Sequence, residues 1–205
     1  VRSGLESVEK CSNEEERNHF LHLMSEETVH MKRLIDDMLL LANSDADTLT
    51  IKPEACQPDL LLLDTYEKFE PLAKKNGLHL ILTLPEEILP DCFCDIHRTE
   101  QIFSIIVDNA LCYTPSGGKV TLSCHAENEM LCFLFEDTGC GISEEKKSHI
   151  FERFYRADDA HTDREHFGLG LCIAKELTEK QNGNIQVVDA PISGSYFMVQ
   201  LPCAL

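Results

Sequence analysis

Seven residues constrain this chain more than any others: Leu21, Met24, Thr28, Met31, Ile35, Met38 and Ala42 alternate strictly at spacings of three and four. That is an a/d seam over about three heptads, and it predicts a long helix across 14–42 that packs against other helices. Ser12 followed by Glu15 reads as a capping box at its start. The first ten residues also read as helical, so a pair joined near Cys11–Asn13 would form an antiparallel hairpin. Two helices alone cannot bury such a seam, and the hairpin is expected to dimerise into a four-helix bundle. His19, His22 and His30 fall off the seam, at f, b and c positions, and read as solvated.

After residue 42 the periodicity stops. "NSDADTLT" (43–50) is polar and patternless and marks a domain boundary. The chain therefore divides into 1–46, a helical hairpin, and 47–205, a mixed domain. In the second part helices are expected at 58–75, with Pro71 as a kink, at 96–111 and at 168–182. Strands are expected at 78–84, 119–127, 130–137, 184–190 and 195–201. Asn128 sits in a hairpin turn, and Gly183 reads as a helix C-cap. Helices interleaved with clustered strands give an α+β class, a two-layer α/β sandwich with a helical layer on a mixed sheet.

Composition narrows the function. Lys and Arg number 18 against 36 acidic residues, a net charge of −18. Such a surface repels a phosphate backbone, so no nucleic-acid partner is expected. No apolar run reaches the roughly 18 residues that span a bilayer. The chain shows no signal peptide and no initiator Met, so it reads as part of a longer protein. Its ten cysteines include no C-x₂-C spacing, which argues against a zinc-ribbon or finger site. They read as free, mostly buried thiols of a reducing compartment.

Three segments carry chemistry. Asp137 ends an apolar strand in "EDTGCGI" (136–142), where its acceptor-only carboxylate suits the exocyclic amine of adenine. Gly139 and Gly141 just beyond it permit close approach of a ligand. Gly168 and Gly170 straddle a helix start, a place where free N–H groups and the dipole favour phosphate. Asn109 lies in an apolar helix, "SIIVDNALCYTP" (104–115), and its amide oxygen suits Mg²⁺. Each has a structural reading too: a turn cap, tight helix packing, and a core amide.

The order of these segments resembles the catalytic half of bacterial sensor histidine kinases of two-component systems, within the gyrase, histidine kinase and MutL ATP-binding superfamily. "DNALCYTPSGG" is like the N box, "DTGCGI" the G1 box, "FERFYRAD" the F box and "GLGLCIAKEL" the G2 box, while "GSYFMVQLP" matches the closing strand. The match spans 56–203, and the heptad helix resembles the second helix of the dimerisation and phosphotransfer domain. The resemblance implies an ATP site in which Asn109 holds Mg²⁺ and Tyr113 lines the adenine or ribose. Asp137 reads the adenine amine over a floor shaped by Gly139, Gly141 and Ile142, with Ser195 in support. It implies that Phe151, Phe154 and Tyr155 pack an ATP lid and that Arg156 approaches the phosphates. Gly168, Leu169, Gly170 and Leu171 form the lid hinge and phosphate-facing helix start, and 158–166 the mobile lid centre. It further implies a homodimer through the hairpin, a response regulator receiver domain as partner, and a cytoplasmic portion of a protein anchored in the bacterial inner membrane through regions outside this chain.

The resemblance has departures. Ile105 stands where the family usually has a second Asn, Cys112 where it has Lys, and His166 where the G2 box has a further glycine. No His is followed by Asp or Glu, so the family's phosphoacceptor motif is absent, and "VRSGLESVEK" resembles the stretch that follows it. The resemblance thus implies an ATP-dependent histidine kinase that phosphorylates a His outside this chain. The alternative is a degenerate kinase serving as a nucleotide-binding dimerisation scaffold. A gyrase-type hydrolytic clamp would need a Glu at position 105.

Overall fold

The computed structural model describes residues 13–156, 167–189 and 194–204. The expected first helix, Ser12 and the lid centre 158–166, with His166, lie outside the described residues. Two compact units emerge. One holds the long helix, runs to Leu49 and includes Phe167; the other holds the described residues from Thr50 to Arg156 and from Gly168 on.

In the first unit, helix α1 spans Glu14–Asp45. Its N-cap is Asn13, whose side chain accepts from the Glu15 amide at 3.0 Å, so the cap falls one residue after the Ser12 of the expected box. Glu14, Glu15 and Glu16 occupy the first turn, where the helix dipole favours them. The seam residues Leu21, Met31, Ile35 and Met38 are 46–53% exposed in the single chain. This apolar face is left uncovered in the single chain. His30 corrects the solvated reading. It is half-buried, its ring centroid lies 4.5 Å from that of Phe167, and its Nε2 is buried with no hydrogen-bond partner among the described residues.

The second unit is built on a five-stranded mixed sheet. Its strands are β2 (His79–Thr83), β4 (Lys119–Glu127), β5 (Met130–Asp137), β7 (Ser195–Pro202) and β6 (Asn184–Asp189), in that spatial order. Only the β2–β4 pair is parallel. That pairing requires a crossover, supplied by β3 (Cys92–Cys94) and helix α3 (Ile96–Tyr113). β3 pairs antiparallel with β1 (Glu54–Cys56) in a separate two-stranded sheet. There Cys56 and Cys94 bring their Sγ atoms to 3.4 Å as free thiols. The β4–β5 hairpin turns at Asn128 and Glu129, both at positive φ (49° and 64°), the conformation of a type I′ turn.

Period-two alternation sets the layers. Val120, Leu122 and Cys124 of β4, Leu131, Phe133 and Phe135 of β5, and Phe197, Val199 and Leu201 of β7 are buried. Helices α2 (Pro58–Lys75), α3 and α5 (Gly170–Glu179) cover that face; the short α4 is Glu144–Lys147. Phe103 of α3 locks the two layers, with ring centroids 4.8 Å from Phe133 and 5.1 Å from Phe135. This is the expected two-layer α+β sandwich. Helix α2 runs unbroken through Pro71, although a proline there removes one ladder donor. Helix α5 is shorter than the expected 168–182. Gly168 precedes it at φ +74°, and beyond it Asn182, at φ 59°, takes the left-handed position assigned to Gly183. Gly183 is required for a different reason: a Cβ there would lie 2.3 Å from the Gln200 carbonyl oxygen.

Asp95 organises the entry to α3. Its Oδ1 accepts from the Arg98 amide as N-cap, and its Oδ2 accepts from the Lys52 amide. Its own amide donates to Gln181 Oε1 at 2.7 Å, beyond the end of α5. One buried residue thus ties three segments: its carboxylate holds the incoming segment and the start of α3, and its amide holds the residue beyond the end of α5.

Candidate functional site

The chemistry-bearing segments meet at one end of the sheet. β5 ends on Asp137, which is 3% exposed. Its Oδ1 accepts from the Gly139 amide at 2.8 Å. Burial raises the pKa of this carboxyl above the usual aspartate value, opposed by hydrogen bonds from the Gly139 amide and from the Ser195 amide and hydroxyl. Ser195, the first residue of β7 and itself buried, therefore holds Asp137 directly.

The glycines also serve the fold. A Cβ on Gly139 would lie 2.4 Å from the Tyr113 carbonyl oxygen, and one on Gly141 would lie 3.0 Å from that of Gly194. These positions make room for the protein's own backbone. By that packing the end of α3, the loop after β5 and the start of β7 come together. Ile142 follows in the same loop, half-buried.

Asn109 is half-buried on α3, one turn before Tyr113, which is exposed. Its amide forms no hydrogen bond to another described residue, so the core-amide reading does not account for it. One amide oxygen beside a solvent-facing edge fits Mg²⁺, which takes few protein ligands and keeps phosphate and water oxygens. Ile105, one turn earlier, is buried, and a Cβ on Gly170 would sit 3.2 Å from its Cγ2. The departure at 105 is thus a packing contact between α3 and the start of α5. Cys112 is half-buried.

Helix α5 begins at Gly170 with Leu169 as N-cap and no side-chain cap, which leaves its first N–H groups for an anion. Leu169 is buried and Leu171 half-buried. Gly168 joins this start to the segment ending at Arg156: its carbonyl accepts from the Phe154 amide at 2.9 Å. A Cβ there would lie 2.7 Å from the Tyr155 carbonyl oxygen. Phe151 is half-buried, Phe154 is exposed at φ 64°, and Arg156 is exposed. Sequence reading missed the Asp95–Gln181 brace and the Cys56–Cys94 thiol pair, because both depend on contacts between distant segments.

A mixed sheet roofed on one face by α2, α3 and α5, with an acceptor at a strand end, an unengaged amide and an open helix start at one rim, defines an ATP-binding fold. The chain belongs to the histidine kinase-, DNA gyrase B- and HSP90-like ATPase family, whose pattern matches residues 94–205. Within it, the chain is a sensor histidine kinase ATP-binding domain preceded by a helix. It is 32% identical over 185 residues to the sensor protein SrrB of Staphylococcus aureus (strain NCTC 8325 / PS 47), covering 89% of this chain and 31% of that one. The chain thus spans about a third of the curated relatives it matches. Full-length ShkA, solved in complex with AMPPNP, superposes with a TM-score of 0.80 at 25% identity, covering 98% of this chain and 42% of that one. The histidine kinase AdeS of Acinetobacter baumannii gives 0.76 at 21%, covering 100% and 93%, and shares the fold.

Proposed function

We propose that this chain binds ATP with Mg²⁺ and catalyses transfer of the γ-phosphoryl group to a histidine imidazole supplied from outside the chain, for relay to a receiver domain. The observation that carries the reading is the convergence of three segments: α3 with Asn109 and Tyr113, the β5 end with Asp137, and the uncapped start of α5. In this reading Asp137, held by Gly139 and Ser195, accepts from the adenine amine, while Ile142 and Tyr113 flank the base and ribose. Asn109 would hold Mg²⁺, which when bound neutralises charge developing on the transferring phosphoryl group. Gly168, Leu169, Gly170 and Leu171 present backbone N–H groups to the phosphates, and Arg156 adds a cation from the lid. The chain's part in catalysis is then positioning and electrostatic stabilisation. An N–P bond forms at the incoming imidazole as the bond to the ADP leaving oxygen breaks.

The exposed seam of α1 supports a homodimer with a second copy of this chain, and the division 1–46 and 47–205 follows as its functional organisation. Anchorage to the bacterial inner membrane would come from segments outside this chain; no described helix is long and apolar enough to cross a membrane.

The test is γ-labelled ATP with a chain extended at its N-terminus by a histidine-bearing helix. Acid-labile, base-stable label on that chain is expected. Nucleotide binding without label at saturating ATP would overturn the kinase reading and leave the dimerisation scaffold.

A further inference from the structure

The far end of β5 carries a second arrangement of donor atoms that the nucleotide site does not use. Successive side chains on a strand alternate faces, so His125 and Glu127 share one face of β4. The register pairs His125 with Cys132 directly across the hairpin, which places the thiol on that same face. One ligand atom from each of His125, Glu127 and Cys132 lies within 4.8 Å of the others. An i, i+2 pair plus its cross-strand partner presents three donors toward one point from a backbone already fixed by the ladder. The turn at Asn128 and Glu129 holds that register two residues away.

We infer that His125, Glu127 and Cys132 form a site for a zinc-class divalent cation. The donor set decides the class. One imidazole nitrogen, one carboxylate oxygen and one sulfur are each ordinary zinc ligands, with distances of roughly 2.0–2.3 Å, and three such ligands leave a fourth position for water. Mg²⁺ and Ca²⁺ want oxygen alone. Donors at those distances lie roughly 3.3–3.8 Å apart in a tetrahedron. The existing spacing closes to this by side-chain rotation: His125 Nε2 and Glu127 Oε2 are already 4.0 Å apart.

Two further features suit the role. Gln200 Nε2 donates to Cys132 Sγ at 3.5 Å, and Asn184 Nδ2 donates to Gln200 Oε1 at 3.4 Å. An outer hydrogen bond of this kind supports a thiolate ligand. Cys132 is fully buried while the His125 and Glu127 side chains are 47% and 61% exposed, so the ion enters from solvent onto a shielded sulfur. On binding, the thiol releases its proton, and a neutral imidazole, a carboxylate and a thiolate together balance the charge of a divalent ion. Asp137 lies five residues along β5, roughly 17 Å away at about 3.4 Å per residue, so the site is separate from the nucleotide pocket.

The test uses the whole chain after chelator treatment and thiol reduction. Co²⁺ added to one equivalent should give a thiolate-to-cobalt charge-transfer absorption, displaced by Zn²⁺, and Zn²⁺ titration calorimetry should show one site with proton release. His125→Ala and Glu127→Ala, both at exposed positions, should each weaken Zn²⁺ by more than the roughly 10–100-fold that loss of an outer-shell partner costs. Cys132→Ser should lose the charge-transfer absorption, with circular dichroism confirming the fold, while Cys140→Ser should keep it. No absorption at one equivalent, or its loss in Cys140→Ser but not Cys132→Ser, or unchanged Zn²⁺ affinity in His125→Ala, overturns the site.

Discussion

Gly194 packs against the backbone of Asp137 so closely that a Cβ on it would lie 1.8 Å from the Asp137 carbonyl oxygen, and its φ of +98° lies where L side chains are strained. The start of β7 and the end of β5 can approach this closely only with hydrogen at that position. This contact sets Ser195, the next residue, against the Asp137 carboxylate. Gly194→Ala should therefore cost about 2–5 kcal/mol, the sum of a left-handed backbone penalty and an overpacked contact. Thermal unfolding and ATP titration should show loss of both stability and nucleotide binding.

Asp137 links pH to two properties with opposite signs. Its folded pKa is raised by burial, so its contribution to stability is fully present below the ordinary aspartate value of about 3.9 and is lost as pH rises through the folded value. Adenine recognition needs the ionised acceptor, so nucleotide affinity should fall as pH drops through that same raised value. Asp137→Asn should weaken ATP roughly tenfold to a hundredfold, the worth of a charge-assisted hydrogen bond. It should also flatten the pH dependence of affinity between those two values. Calorimetric ATP titrations across mildly acidic pH check both outcomes, and a variant with unchanged affinity would remove Asp137 from the pocket.

Asn109→Ala should leave stability within about 0.5 kcal/mol, the range of substitutions away from structural features, because its amide makes no bond to another described residue. ATP affinity should fall in Mg²⁺ and be unchanged in chelator. Comparing the two titrations separates metal coordination from a general loss of the pocket.

Asp95→Ala removes the N-cap of α3 together with the acceptor for the Lys52 amide. A cost of about 1–3 kcal/mol is expected from these losses. Asp95→Asn keeps the Oδ1 acceptor and should retain most of the cap. Chemical denaturation of the two variants gives the comparison.

The heptad spacing and the alternation of "KVTLSCHAE" and "MLCFLFED" already specify a long helix and a hairpin, since local periodicity is all that either needs. The segments that carry Asp137, Asn109 and the glycine-flanked helix start stood out in the sequence as well, because four short segments in one order constrain each other far more than any one alone. Element ends were less legible. Helix α5 starts at Gly170, after Gly168 takes φ +74° against the Tyr155 carbonyl, a contact between residues thirteen apart that no local pattern encodes. The same holds for Ile105: the sequence shows a missing polar group, and the structure shows a methyl packed toward Gly170.

The sequence by itself determined the class of fold, the order of its boxes and the residue types available for chemistry, because these are properties of composition and spacing. Only the tertiary structure decided which backbone each glycine accommodates, that Ser195 holds Asp137, and that His125, Glu127 and Cys132 share a face. Those facts depend on which strands pair and in what register, and register is fixed by packing between segments far apart in the chain.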